Sequence, residues 1–300
     1  MQLTKLGKSA LAVSPIGIGG MSLKGGTTKL NTEILLEAVD AGINYFDTAD
    51  LYERGMNEEL VGHALRSVRD KVVIATKVGN QWRSDGTTWD WKASKPYIIK
   101  TVEASLSRLH TSCIDLYQLH GGTIDDPIDE IIEAFEELVK AGKIRYYGLS
   151  SIRPNVIRAY AEKSNIVSVM MQYSLLDRRP EDVFPVLQKN GIGLISRGAL
   201  TQGLLIDKPL EKYLQLTSSE VGHAKRNVER VAQELGMSMS QLLLSYVLSQ
   251  DVVDVAAVGV RTLAQLRDLR EAGQKLAQLS PAALADLTRG LRRLQYTDHR

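Results

Sequence analysis

Eight short runs rich in β-branched and aliphatic residues alternate with helix-like segments along most of this chain, and that alternation limits the fold more than any other feature. The runs fall at 15–19, 44–47, 72–77, 114–120, 144–150, 167–172, 192–196 and 253–258, each bounded by polar residues or glycine. Helices are predicted at 31–41, 57–68, 96–109, 127–141, 154–163, 181–190, 224–235, 239–249 and 262–272. Asn31 is the expected cap of the first, which stops before Gly42, and the helix at 127–141 stops before Gly142. Strands that alternate with helices pair in parallel, and eight is the number that closes a barrel. The predicted fold class is therefore α/β, a (β/α)8 TIM barrel. A small N-terminal β-hairpin around KLGKS is expected to plug its bottom, and extra C-terminal helices follow, the last within LSPAALADLTRGLRRL.

Strand starts are spaced by roughly 34 residues, so residues 1–300 are read as a single domain rather than the two that length alone allows. A doubly wound dinucleotide fold needs G-x-G-x-x-G after the first strand, and Gly17-Ile18-Gly19-Gly20-Met21-Ser22 lacks the third glycine. Lys and Arg number 37 against 35 Asp and Glu, a net +2 without a basic block, which gives no reason to expect nucleic acid. Cys113 is the only cysteine, so no internal disulfide or thiolate metal site is expected. The richest apolar run, 242–248, is far short of a membrane span, and the N-terminus lacks the long apolar stretch of a secretory signal. A cytoplasmic protein with no membrane partner is expected; oligomeric state is not legible.

Polar residues close three of the strands: Asp47 ends INYFD, Lys77 ends VVIATK and His120 ends IDLYQLH, while Tyr52 follows Asp47 by five residues. In a closed barrel all four gather at the carboxyl face, where such folds carry their sites. A free phenol titrates near 10, too high for an efficient acid at neutral pH, and a neighbouring ammonium stabilises the phenolate. Asp47 would hold the Lys77 ammonium, and the His120 imidazole would donate to a substrate carbonyl oxygen. Each residue alone has an ordinary structural reading: a turn cap, an edge charge, a packed ring, a core histidine. Their recurrence at successive strand ends is what points to proton transfer. His63, His110, His223 and His299 show no such pattern, and no metal is expected.

With those residues in view, the chain resembles the aldo-keto reductase superfamily almost end to end, through KLGKSALAVSPIGIGGMSL, INYFDTADLY, ATK, IDLYQLH, GLSS, MMQYS, SRGALTQGLL and AVGVRTLAQLRDL. The resemblance implies that Tyr52 is the general acid/base, that Asp47 and Lys77 tune it and that His120 orients a carbonyl. It implies a nicotinamide cofactor, with NADP(H) preferred over NAD(H). Ser150 and Gln172 match carboxamide-binding positions, Ser151 stands where relatives have asparagine, and Gly20, Met21 and Asp47 are read as further cofactor contacts. Ser196 takes the place of a stacking aromatic, and the adjacent Arg197 offers a planar guanidinium instead. Gly198, Leu200 and Gly203 would lie along the pyrophosphate. Gly259, Arg261, Thr262 and Gln265 match the adenosine end, Arg261 suiting a 2′-phosphate, and Leu269 replaces a common adenine-contacting asparagine. Met21, Leu23, Trp82, Trp89 and Trp91 are read as an apolar substrate wall beside Tyr52 and His120. The expected reaction is reduction of an aldehyde or ketone, reversible with the alcohol. The competing readings are a nicotinamide-binding regulatory subunit with little turnover and an unrelated barrel lyase or isomerase.

Overall fold

The computed structural model describes residues 1–298. Eight parallel strands close into a barrel: β1 (Ile16–Gly19), β2 (Tyr45–Asp47), β3 (Val73–Val78), β4 (Ile114–His120), β5 (Ile144–Ser150), β6 (Ser168–Gln172), β7 (Gly193–Arg197) and β8 (Val253–Val258). They follow one another around the barrel in chain order, with β8 against β1. Three runs match the sequence reading to the residue, and the others differ by one residue at one or both ends. Extension of β7 to Arg197 places that side chain inside the strand register, opposite Gln172.

Several helix limits differ from expectation for local reasons. Thr28, not Asn31, caps the first helix (Lys29–Asp40): its hydroxyl accepts from the Asn31 amide. The Asn31 side chain instead donates to the Lys24 and Gly26 carbonyls. The helix expected at 224–235 begins at Ser218, because Thr217 and Glu220 form a capping box. The segment 181–190 is a 3-10 turn (Arg179–Asp182) followed by a short helix (Phe184–Lys189) with proline in its first turn. The last helix (Pro281–Thr288) is shorter than expected, and Gly290 follows at φ 68°. His299 lies outside the described residues. Among the described residues no helix is long and apolar enough to cross a membrane.

Side chains alternate across each strand, and the two resulting sets form two cores. Tyr45, Val73, Ala75, Leu116, Met170, Ile195, Val255 and Ala257 fill the barrel interior, while the opposite set packs under the helices. Leu6, Leu11 and Val13 of the N-terminal hairpin join the interior cluster, so the hairpin plugs the bottom of the barrel. At that end the Gly7 amide donates to Asp254 Oδ2 at 2.7 Å. A Cβ on Gly193 would lie 1.9 Å from the same oxygen, so the carboxylate needs a glycine there.

Burial pushes the Asp254 carboxyl up to about 6, against the pull of the Gly7 amide. The folded chain therefore binds a proton that the unfolded chain, titrating near 3.9, releases first. Stability from this group is present at low pH and lost as pH rises from about 4 to about 6. Asp254→Asn keeps the acceptor without the charge. Its melting temperature should exceed the parent's by about 2 °C or more at pH 7.5, and the difference should vanish near pH 4. A gain independent of pH, or none, would contradict the assignment.

Candidate active site

The alternation that fills the interior also builds the site one layer higher. Tyr45, Val73 and Leu116 face inward, so Asp47, Lys77, Gln118 and His120, an even number of residues further along, face inward at the carboxyl end. Register sets their heights. Asp47 pairs with Ala75, Lys77 with Gln118, and His120 with Ser150, which places the Lys77 side chain one step above Asp47 on the neighbouring strand.

Lys77 is fully buried, and Asp47 is nearly so. All three ammonium protons have acceptors: Asp47 Oδ1 at 2.5 Å, the Thr48 carbonyl at 2.8 Å and the Tyr52 hydroxyl oxygen at 3.3 Å. Burial works against the Lys77 charge, but the Asp47 carboxylate and the Tyr52 oxygen outweigh it and hold its pKa above the ordinary lysine value. The ammonium also lies 4.9 Å from the centre of the Tyr52 ring. Gln118 Nε2 donates to the second Asp47 oxygen at 3.4 Å. A cation is thus locked beside one phenol, where it stabilises negative charge left by a departing proton.

His120 stands across from Tyr52, with ring centres 6.0 Å apart and planes at 85°. Burial, then the charges of Lys77 and Arg197, pull its pKa down to about 3, so the imidazole is neutral at physiological pH. Nδ1 is buried and has no protein partner among the described residues. An orphaned buried N–H is rarer than an unused acceptor lone pair, so the proton belongs on Nε2. His120 is then a hydrogen-bond donor through Nε2.

Some of the other expected residues lie at the same mouth, and others do not. Ser150 pairs with His120 across β4 and β5. Gln172 and Arg197 are opposite each other on β6 and β7, with Arg197 Nη1 donating to Gln172 Oε1 at 3.4 Å and Gln172 Nε2 to the Tyr213 hydroxyl at 2.8 Å. Ser196 is fully buried on the other side of β7, its hydroxyl donating to the Tyr173 carbonyl at 2.8 Å. Arg197, not Ser196, therefore faces the mouth. Ser151 is also buried and accepts from the Arg153 amide. Gly198 and Gly203 have φ 77° and 88°, turning the chain after β7 around Leu200. Gly259 is exposed beside the β1 loop, where a Cβ would lie 2.0 Å from Ser22 Oγ. Thr262 caps the helix Leu263–Gln274, and the Gln265 side chain accepts from the Arg261 amide. The Arg261 side chain is exposed and has no ion pair among the described residues. Leu269 is buried in the outer core.

Gly20 and Met21 follow β1, Met21 exposed and Gly20 buried. Leu23 departs from the expected pocket wall. It is 1% exposed and belongs to the core under the helices, following the 3-10 turn Gly20–Ser22 that interrupts the strand alternation. The loop at 79–94 contains an unexpected two-stranded antiparallel ribbon, Asn80–Trp82 against Trp89–Trp91, carrying all three tryptophans. Thr48, Asn57 and Gln118 were missed. Asn57 is buried, accepts from the Thr48 hydroxyl at 2.7 Å and donates to the Gly20 and Leu23 carbonyls. Gln118 had a readable signal, two residues before His120 and on the same side of the strand. Asn57 had none, since the carbonyls it donates to lie 34 and 37 residues away.

The chain is similar to known proteins over most of its length. The model of the aldo/keto reductase family matches residues 15–289. An uncharacterized oxidoreductase, YqkF of Bacillus subtilis strain 168, is 50% identical over 278 residues, 89% of this chain and 90% of the relative. The holo form of aldo-keto reductase AKR11C1 from Bacillus halodurans superposes with a TM-score of 0.93 at 44% identity, covering 100% of this chain and 99% of that one. Its apo form gives 0.86 at 43% identity with the same coverage.

Proposed function

Because the chain belongs to the aldo/keto reductase family, we propose that it reduces aldehydes or ketones to alcohols, reversibly, with NADP(H) preferred over NAD(H). The observation that carries this reading is the buried Lys77 ammonium, fixed by Asp47 and donating to the Tyr52 hydroxyl. The donor set at the mouth fits a nicotinamide dinucleotide. Ser150 and Gln172 offer a hydroxyl and an amide for a carboxamide. Arg197 offers a planar cation near the ring, and the segment from Gly198 to Gly203 lets a backbone approach the pyrophosphate. Arg261 and the helix N-terminus at Thr262 suit a phosphate on the adenosine ribose.

When bound, the nicotinamide supplies the hydride that a carbonyl carbon accepts. This chain's residues manage the oxygen. Nε2–H of His120 donates to it and fixes its direction, and Tyr52 gives up its proton as negative charge develops there. Lys77 then faces the phenolate oxygen at contact distance, and Asp47 keeps the ammonium from moving away. A single barrel domain acting in the cytoplasm on small carbonyl compounds, without nucleic acid or membrane partners, is the setting we infer.

Titration with NADPH followed by turnover against a panel of small aldehydes and ketones tests the reading. Quenching of tryptophan fluorescence with steady NADPH consumption is the expected result. Tight binding with negligible turnover would favour a regulatory subunit, and no binding would favour an unrelated barrel enzyme. Arg261→Ala should raise the Kd for NADPH about 10-fold or more while leaving that for NADH within about twofold, since only NADPH loses a charge-assisted bond. Equal losses for both would remove the 2′-phosphate role.

A further inference from the structure

The tryptophan ribbon touches the backbone on both sides of the Tyr52–His120 gap. On the Tyr52 side, Trp82 Nε1 donates to the Leu51 carbonyl at 3.1 Å, one residue before the phenol. Arg54, two residues after it, donates from Nη2 to the Gly86 carbonyl at 2.7 Å and lies 5.1 Å from the Trp82 ring centre. Glu53 and Arg54 are held at φ 49° and 56°, a left-handed conformation that is unfavourable for a non-glycine residue and persists only where contacts enforce it. On the opposite side, Asn80 Nδ2 donates to the His120 carbonyl at 3.2 Å. The Trp91 ring lies over Gly121, where a Cβ would meet Trp91 Cζ3 at 1.8 Å. The two ends are joined by the pairing of Asn80 with Trp91 and of Trp82 with Trp89.

We propose that this ribbon is a spacer that fixes the separation of Tyr52 from His120, with Trp82 and Asn80 as positioning residues. A carbonyl oxygen must reach the Tyr52 hydroxyl and His120 Nε2 at once, so the gap between them sets how well both bonds form. The barrel alone does not set it. His120 ends a strand, but Tyr52 lies five residues beyond β2 in a 3-10 turn, and the ribbon is anchored on both sides of it at Leu51 and Arg54. The inference rests on the reading of Tyr52 as proton donor and His120 as orienting donor.

Trp82→Phe keeps a large ring and removes the N–H bond to Leu51. Its kcat should fall about 10-fold, in the range that small misplacements produce. The Kd for NADPH should stay within about twofold, and the primary isotope effect with deuterated NADPH should rise as the chemical step becomes limiting. A purely structural role would move stability and leave the isotope effect at the parental value. Should Trp82→Phe fail to fold, Arg54→Ala decides: it releases the ribbon at Gly86 and should shift kcat and the isotope effect the same way, about threefold in kcat. Parental kcat and isotope effect in the folded variant, beside an inactive Tyr52→Phe enzyme, would overturn the spacer alone. Full activity of Tyr52→Phe would overturn the reading beneath it.

Discussion

Tyr52→Phe is expected to lower kcat about 10³-fold or more while NADPH binds with nearly parental affinity. The substitution deletes one oxygen atom and leaves the ring against Lys77 and His120, so packing changes little. What is lost is the one hydroxyl that the Lys77 ammonium contacts among the described residues. General acid catalysis by a placed side chain contributes about 10²–10⁴-fold, and neither His120 nor Asp47 is suited to take over that role. His120 is neutral, its pKa near 3, and its Nε2–H is far too weak an acid to take over. Asp47 has both oxygens engaged, by Lys77 and Gln118. Steady-state rates at saturating NADPH, with fluorescence titration of the cofactor, would check this. A loss of less than about tenfold would sink the assignment of Tyr52 as proton donor.

The strand ends were legible because inward-facing positions of a barrel recur every second residue. Asp47, Lys77 and His120 therefore announced themselves as polar residues where apolar ones continue the pattern. The same period explains which part was misplaced. Ser196 and Arg197 are adjacent, so one faces the mouth and the other the outer shell, and a family pattern cannot say which when the aromatic is absent. The register, with Arg197 opposite Gln172, decides it. Leu23 was misread because a 3-10 turn at Gly20–Ser22 intervenes, and no strand period carries across such a turn. The tryptophan ribbon escaped notice because its strands are three residues each, too short for a periodic signal. Asn57 and Thr48 join loops that only tertiary closure brings together. The modest net charge also has a physical reading in the proposed function: one anionic ligand needs cations at two points, Arg197 and Arg261, and no basic surface.

Lys77→Met should be inactive and also much less stable, and a second substitution separates the two effects. Removing the ammonium leaves the Asp47 carboxylate buried with the long Gln118 bond and the Arg197 charge in compensation. Breaking a buried pair from one side costs about 3–5 kcal/mol. A chain of this size should then lose roughly 6–15 °C in melting temperature. The loss should shrink as pH falls, because a stranded carboxylate can recover by taking up a proton. Replacing both partners, Lys77→Met with Asp47→Leu, removes the stranded charge. Most of the lost melting temperature should return, less the share that belongs to the Thr48 carbonyl and the Gln118 amide, which stay unpaired. Turnover should not return, since no cation remains beside the Tyr52 oxygen. Scanning calorimetry and NADPH consumption on both variants read the two effects independently. A double variant no more stable than Lys77→Met would mean that the pair is not the buried electrostatic unit described above. A double variant that regains activity would mean that the ammonium does not assist the proton transfer.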